Sequence, residues 1–194
     1  HGRAAIERFL AAVPEHVLVV LDEAYYEYAQ AAVPDYPDGL TLLERFPNLV
    51  VTRTFSKAYG LAGLRVGYAL SNPGIADLLN RVRPAFNVNA VGLAAARAAL
   101  ADHGFIERSR ALNAAGRAQL ESGLSELGVT TVPSAANFVL ARFDRPGAAL
   151  NEALLRRGII VRPVGNYGLD EYLRITIGTD AQNRRLLGAL AELL

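Results

Sequence analysis

The chain has 194 residues, of which 52% are hydrophobic, and its formal net charge is +1. This length and apolar content suffice for a packed core, and the small net charge, with Lys and Arg scattered along the sequence, argues against nucleic-acid binding. The sequence contains no cysteine and its three histidines lie far apart, which excludes disulfides and argues against a metal centre. No apolar run approaches the ~20 residues of a membrane span, so we expect a cytoplasmic protein without a membrane partner.

The first third of the sequence predicts three strands separated by loops and short helices. A helix is expected over Ala4 to Val13, followed by a continuous apolar run from Val17 to Leu21. Such a run is typical of a strand buried on both faces of a parallel sheet. After a proline-rich loop and a short helical segment, "NLVVTRTF" predicts a second buried strand, and "LRVGYALS" a third.

The remaining sequence is first helical and then mixed. Helices are predicted over Ile75 to Arg83, Ala90 to Ala101 and Phe105 to Leu127. Beyond them the sequence predicts two short strands in "VTTVPSAANFVLARF", a helix in "GAALNEALLRRG" stopped by Gly158, strands in "IIVRP" and "YLRITIGT", and a closing helix in "AQNRRLLGALAELL".

These elements predict an α/β fold with a parallel-rich sheet, followed by a smaller α+β domain. We expect residues 1–88 to form part of the large domain and residues 89–128 to be connecting helices. Residues 129–194 would then be the small C-terminal domain.

The run "TRTFSKAYGLAGLRVG" places Lys57 just beyond a predicted strand, where functional residues of open α/β sheets collect. A lysine partly removed from water can attack a carbonyl to form a Schiff base. Thr54 and Ser56 offer hydroxyl donors, and Arg65 offers a fork that suits a phosphate. The run therefore predicts an amine beside a phosphate cradle, although a glycine-rich turn with a solvated lysine explains it as well.

Two common phosphate-binding motifs are absent from this run. A P-loop requires Gly-Lys followed by Ser or Thr, whereas here the order is Ser56-Lys57. The dinucleotide fingerprint requires Gly-x-Gly, whereas Gly60, Gly63 and Gly67 are three and four residues apart. Neither nucleotide motif accounts for the run.

Asp22 and Tyr25 follow the preceding predicted strand in "LDEAYYEY". Taken singly, they would be a strand-end cap and a core aromatic residue. Together with Lys57 they meet the needs of pyridoxal phosphate: an amine for its carbonyl, an anion for its ring nitrogen and donors for its oxygens. The two strand ends are therefore predicted to share one crevice.

The chain resembles the fold-type I pyridoxal-phosphate aminotransferases, specifically the histidinol-phosphate aminotransferase family. The segments that carry the resemblance, in order, are "VVLDEAYYEY", "TFSKAYGLAGLRVGYA", "NFVLARF", "GIIVRP" and "YLRITIGT". They extend over almost the whole chain, which resembles the C-terminal half of the family's members. Those members are roughly twice as long, so we expect this chain by itself to be an inactive fragment.

The resemblance implies a role for each residue of the predicted crevice. Lys57 would bind the carbonyl of pyridoxal 5′-phosphate and later move the substrate proton. Asp22 would pair with the ring nitrogen, and Tyr25 would donate to the phenolate oxygen. The phosphate would be held by Thr54, Ser56 and Arg65.

Two further arginines are predicted to bind substrate. Strand alternation places Leu173 and Ile175 on one face and Arg174 on the other. By resemblance Arg174 would bind a substrate carboxylate and Arg162 the substrate phosphate. On the strand patterns alone, both arginines are better explained as ordinary surface residues, Arg162 more so than Arg174.

The implied reaction is transamination between L-histidinol phosphate and 2-oxoglutarate in histidine biosynthesis, by a homodimer with its active site at the interface. An aromatic or broad-specificity aminotransferase, or a related amino-acid phosphate decarboxylase, would share many of these motifs. A non-catalytic ligand-binding module with the same fold is the alternative outside enzymes, but such a module has no need of the Lys57 amine.

Overall fold

All 194 residues are described by the structure, a computed structural model, in which the chain divides into two units. Unit 1 comprises residues 1–108 and unit 2 residues 109–194. This division falls within a helix that begins at His103. The expected domain limits at residues 88 and 128 stay predictions.

Unit 1 is built from short helices around a small sheet. Its helices are α1 (Arg3–Ala12), α2 (Tyr26–Ala32), α3 (Pro73–Val82) and α4 (Ala90–Ala101), and α5 (His103–Glu126) continues into unit 2. Asn72 and Asn89 cap α3 and α4 by accepting backbone N–H groups with their side chains, which explains where these two helices begin. The sequence did not predict α2.

The sheet of unit 1 has the order β1-β2-β3, formed by β1 (Val19–Asp22), β2 (Leu49–Thr54) and β3 (Gly67–Ser71). Strands β1 and β2 are parallel, as predicted, whereas β3 runs antiparallel to β2. The short connection between β2 and β3 contains no crossover helix, so an antiparallel pairing is the one it permits. The α/β fold class is confirmed.

The prediction that the first strand is buried on both faces is wrong. Val19 and Leu21 pack against Leu10, Leu49 and Val51 in a buried cluster. On the other face Val20 is 61% exposed. A continuous apolar run shows that both faces are apolar, but it does not show that this chain supplies a cover for each of them.

Unit 2 contains a four-stranded antiparallel sheet of order β4-β5-β7-β6. Its strands are β4 (Thr130–Val132), β5 (Phe138–Arg142), β6 (Arg162–Val164) and β7 (Leu169–Thr176), and its other helices are α6 (Gly147–Leu155) and α7 (Asp180–Leu193). The core joins Leu120 and Leu124 of α5 to Val139, Leu173 and Leu190, all fully buried.

The strand predicted in "IIVRP" begins later than expected, at Arg162. Gly158 adopts a left-handed conformation with φ of 70°, and the Ile159 N–H donates to the Leu154 carbonyl at 3.0 Å. This arrangement closes the end of α6, as glycine does at many helix C-termini. Ile159 therefore belongs to the turn that closes α6, and β6 starts only after this turn.

Candidate active site

Lys57 lies in a turn that directly follows β2. The turn is closed by the Gly60 N–H, which donates to the Lys57 carbonyl at 2.9 Å, and Gly60 has the positive φ of 71° that this geometry needs. The preceding Phe55 is buried, with its ring centroid 4.9 Å from that of Tyr59 and 5.7 Å from that of Tyr68. Packing of this aromatic group holds the lysine-bearing turn against the sheet.

An open cleft of about 570 Å³ surrounds the end of β2. Five of the predicted site residues line it, namely Asp22, Thr54, Ser56, Lys57 and Arg65. They come from two neighbouring strand ends and from the segment that leads into β3. The cleft thus brings together an amine, a carboxylate, two hydroxyls and a guanidinium.

Asp22 is the last residue of β1, and its exposed carboxylate faces the cleft. Its Oδ1 accepts hydrogen bonds from Thr52 Oγ1 at 3.2 Å and from the Ala24 N–H at 3.1 Å. Both bonds engage Oδ1, which leaves Oδ2 to meet a ligand. The carboxylate is thereby held at one orientation while keeping an acceptor directed to solvent.

Thr54, Ser56 and Arg65 form a connected group of donors. The Ser56 N–H donates to Thr54 Oγ1 at 3.1 Å, and Arg65 Nη1 donates to Ser56 Oγ at 3.4 Å and to the Ala62 carbonyl at 3.0 Å. Arg65 has a left-handed backbone, with φ of 56°, which is strained for a residue with a side chain. These bonds hold its exposed guanidinium beside the two hydroxyls.

Tyr25 lies close to Lys57, with the lysine Nζ 5.4 Å from the centroid of the tyrosine ring. The tyrosine is half-buried, and its carbonyl accepts the Ala29 N–H at 2.9 Å in the first turn of α2. Helix α2 therefore positions Tyr25 next to the lysine, as the crevice prediction requires.

Thr52 and Gly67 also line the cleft but were not among the predicted site residues. Thr52 is the register partner of Asp22 in the parallel pair, and Gly67 is the partner of Thr54 in the antiparallel one. A Cβ at Gly67 would lie 3.0 Å from the Arg53 carbonyl oxygen, so a larger residue would press against the backbone of β2. Alternation along β2 places Thr52 on the face of Thr54, a signal available in the sequence.

Arg162 and Arg174 belong to unit 2, where they are register partners on the adjacent strands β6 and β7. Arg162 is exposed, whereas Arg174 is half-buried, with its guanidinium carbon 4.6 Å from the centroid of the Phe138 ring. The buried Nε of Arg174 has no hydrogen-bond partner. Leu173 and Ile175 are buried on the opposite face, so the predicted alternation is confirmed.

The structure contains no group of three or more histidine, cysteine, aspartate or glutamate side chains placed to hold a metal ion. None of its helices combines the length and the apolar composition that a membrane crossing needs.

Residues 2–190 match the family described as "Aminotransferase class I and II". A curated relative, "Histidinol-phosphate aminotransferase 2" of Pseudomonas fluorescens strain Pf0-1, is 56% identical over 193 residues, covering 100% of this chain and 52% of the relative. The chain spans about half the length of the curated relatives it matches.

Two solved structures resemble the fold closely. The histidinol-phosphate aminotransferase of Sinorhizobium meliloti in complex with pyridoxal-5′-phosphate has a TM-score of 0.87 at 36% identity, over 100% of this chain and 53% of that one. The L-threonine-O-3-phosphate decarboxylase of Porphyromonas gingivalis has a TM-score of 0.85 at 27% identity, over 100% and 59%.

Proposed function

Because this chain belongs to the class I and II aminotransferase family, we propose that the full-length protein transfers an amino group between L-histidinol phosphate and 2-oxoglutarate. The products are imidazole acetol phosphate and glutamate, and the cofactor is pyridoxal phosphate. The observation that carries the proposal is the cleft around Lys57, which gathers the groups this cofactor needs. The name of the 56% identical relative supports the choice of substrate.

The residues of the cleft fit the cofactor by the chemistry of their donors and acceptors. The Lys57 amine suits the carbonyl, the free Oδ2 of Asp22 suits a protonated ring nitrogen, and the donors of Thr54, Ser56 and Arg65 suit the phosphate. When bound, pyridoxal phosphate withdraws electrons from the substrate α-carbon and makes its proton acidic.

Each side chain then has a defined task. Asp22 holds the proton on the ring nitrogen through a charge-assisted hydrogen bond, while Thr52 and the Ala24 amide keep its carboxylate oriented. With the cofactor bound, Lys57 Nζ would carry the proton between the substrate α-carbon and C4′. Tyr25 donates to the phenolate oxygen of the ring.

Arg162 and Arg174 bind the anionic groups of the substrates in this proposal. Two cations at opposed positions of adjacent strands repel each other unless an anion lies between them. The unpartnered Nε of Arg174 is a further donor for such an anion. We assign the carboxylate of glutamate or 2-oxoglutarate to Arg174 and the phosphate of histidinol phosphate to Arg162. The cytoplasmic homodimer stays a prediction of the resemblance.

The cofactor part of the proposal is tested by borohydride trapping of the full-length protein with pyridoxal phosphate, followed by peptide mapping. We expect a reduced adduct on Lys57 and none in a folded Lys57→Ala variant. A folded protein that takes no label at Lys57 would contradict the proposal and would favour a non-catalytic binding module.

The substrate part requires steady-state kinetics with competing substrates. We expect kcat/KM for histidinol phosphate to exceed that for phenylalanine by about 100-fold, since the phosphate gains charge-assisted bonds that an aromatic ring cannot make. Equal efficiencies would favour a broad-specificity aminotransferase. Release of carbon dioxide from a phosphorylated amino acid would favour the decarboxylase alternative, which the 27% identical neighbour keeps open.

A further inference from the structure

The ends of β1 and β2 present different residues on their two faces. Asp22, Arg53 and Thr54 all contribute to the cleft lining, but the side chains of Glu23 and Arg53 are buried, and strand alternation directs the Arg53 side chain to the face opposite that of Thr54. The two sets of side chains therefore share the same few backbone units. Anything that fixes Glu23 and Arg53 also fixes the directions of Asp22 and Thr54.

Glu23, Arg53 and Asp38 form an ionic cluster in which Glu23 and Arg53 are buried and Asp38 is partly exposed. Arg53 donates to Glu23 Oε2 from Nε at 2.8 Å and from Nη2 at 2.7 Å, and Nη2 also lies 2.8 Å from Asp38 Oδ1. The Gly39 N–H donates to Glu23 Oε1 at 2.8 Å. The side chains of Arg53 and Glu23 are only 6% and 1% exposed, so almost no water competes for these bonds.

Two tyrosines complete the surroundings of the cluster. The Tyr26 ring lies beneath the Arg53 guanidinium, 3.4 Å from its carbon to the ring centroid, and Tyr36 is hydrogen-bonded to Glu23. Burial lowers the pKa of Arg53, but the hydrogen bond and charge of Glu23 outweigh it, and the pKa is raised overall. Burial and the Glu23 charge raise the pKa of Tyr36, so its hydroxyl stays a donor.

Such a cluster is not explained by stability alone. Buried ion pairs pay a large desolvation cost, and well-packed apolar residues of similar volume often replace them without loss of stability. The cluster instead fixes the orientation of its members, because the planar guanidinium of Arg53 donates to its partners at fixed angles only. The Glu23 N–H also donates to the Thr52 carbonyl at 2.8 Å, which extends the connection to the residue that holds Asp22.

Resting on the proposed function, we propose that Glu23, Arg53 and Asp38 are positioning residues that aim Asp22 and the Lys57 turn at the cofactor. They touch neither cofactor nor substrate and act through the shared backbone of β1 and β2. Their contribution is to keep the Asp22 carboxylate within hydrogen-bond reach of the ring nitrogen, a distance that a shift of one ångström would spoil.

The test uses Arg53→Lys in the full-length protein, which keeps the charge but removes the fork. We expect the dissociation constant for pyridoxal phosphate, measured by equilibrium dialysis, to rise about tenfold. We also expect the pH midpoint of the bound cofactor's visible absorbance to rise by about one unit. A ring nitrogen that loses its proton no longer lowers the proton affinity of the conjugated nitrogen supplied by Lys57.

Arg45→Lys is the matched control, because Arg45 is an exposed arginine of the same unit that pairs with Glu7 at 3.0 Å. It should leave both the dissociation constant and the pH midpoint unchanged.

If Arg53→Lys does not fold, Tyr36→Phe removes a single bond to Glu23 and should move both quantities in the same direction by a smaller amount. A folded variant with a lowered melting temperature but unchanged affinity and midpoint would overturn the proposal. Failure of the unmodified protein to bind pyridoxal phosphate would instead contradict the proposed function.

Discussion

Gly39 occupies a position where only a hydrogen atom fits beside the buried Glu23. An added Cβ would lie 2.7 Å from Val51 Cγ2, 2.9 Å from Leu21 Cδ2 and 3.2 Å from Glu23 Oε1. We predict that Gly39→Ala lowers the free energy of unfolding by about 1–3 kcal/mol, as overpacking of a core does. Urea unfolding followed by tyrosine fluorescence measures this, because six of the eight tyrosines precede residue 109 and report on unit 1.

Gly63→Ala serves as the control for this prediction. A Cβ at Gly63 would meet no atom within 4 Å, and its backbone has no positive φ, so the substitution should change the free energy by less than about 0.5 kcal/mol. Equal unfolding curves for the two variants would contradict the prediction. They would show that the neighbours of Gly39 move aside for the added methyl group without lowering the free energy of unfolding.

At the same scale, the sequence predicted the cleft better than the cluster behind it. Asp22, Thr54 and Lys57 could be grouped because residues at the ends of parallel strands meet at one sheet edge. The pairing of Glu23 with Arg53 joins residues 30 apart in the chain. Strand alternation can assign a residue to a face of a sheet, but it cannot identify the partner of a buried charge, so the sequence analysis did not predict this pair.

Among the elements, α7 has a complete capping box at its first turn. Thr179 accepts the Gln182 N–H through its hydroxyl at 3.4 Å, and the Thr179 N–H donates to Gln182 Oε1 at 2.9 Å. Helix α7 contributes buried side chains to the core of unit 2. We predict that Thr179→Ala lowers the free energy of unfolding by about 1 kcal/mol, the usual value of a lost N-cap, measured by urea unfolding with far-ultraviolet circular dichroism.

Ser125→Ala in α5 is a suitable comparison, since it also removes one hydroxyl but at an exposed position within a helix. It should leave the free energy within about 0.5 kcal/mol of its original value. A Thr179→Ala curve that coincides with the Ser125→Ala curve would mean that α7 does not depend on its cap.

Long periodic elements were predicted better than short ones. The helix over Ala90–Ala101 was predicted with its observed limits, and the observed limits of α3, α5 and α7 differ by no more than two residues from the predicted ones. Helix α2 was missed because its seven residues, "YEYAQAA", are too few for a helical period to emerge. The late start of β6 arises from the closure of α6, a helix-end contact that strand propensity does not contain.

For the whole molecule, the two units differ in how much apolar surface they cover. Unit 2 contains the largest cluster of buried apolar residues, to which α5, both flanking helices and the sheet contribute. Unit 1 has two smaller clusters, and leaves many large apolar side chains exposed, among them Leu18, Val20, Val82, Phe86 and Val91. Such exposure is typical of surfaces that are covered by another segment or chain.

This difference predicts which part of the chain folds by itself. A polypeptide of residues 103–194 retains all of α5 and the whole cluster of unit 2, so we expect cooperative urea unfolding and little binding of a hydrophobic dye. Residues 129–194, the small domain expected from the sequence, lack the fully buried Leu120 and Leu124. Without these two leucines the free energy of unfolding falls by several kcal/mol, which is comparable to the whole stability of a small domain. This shorter polypeptide should therefore bind the dye and unfold without cooperativity. If residues 129–194 unfold as sharply as residues 103–194, the helix is a connection between domains and the limit expected at residue 128 is the true one.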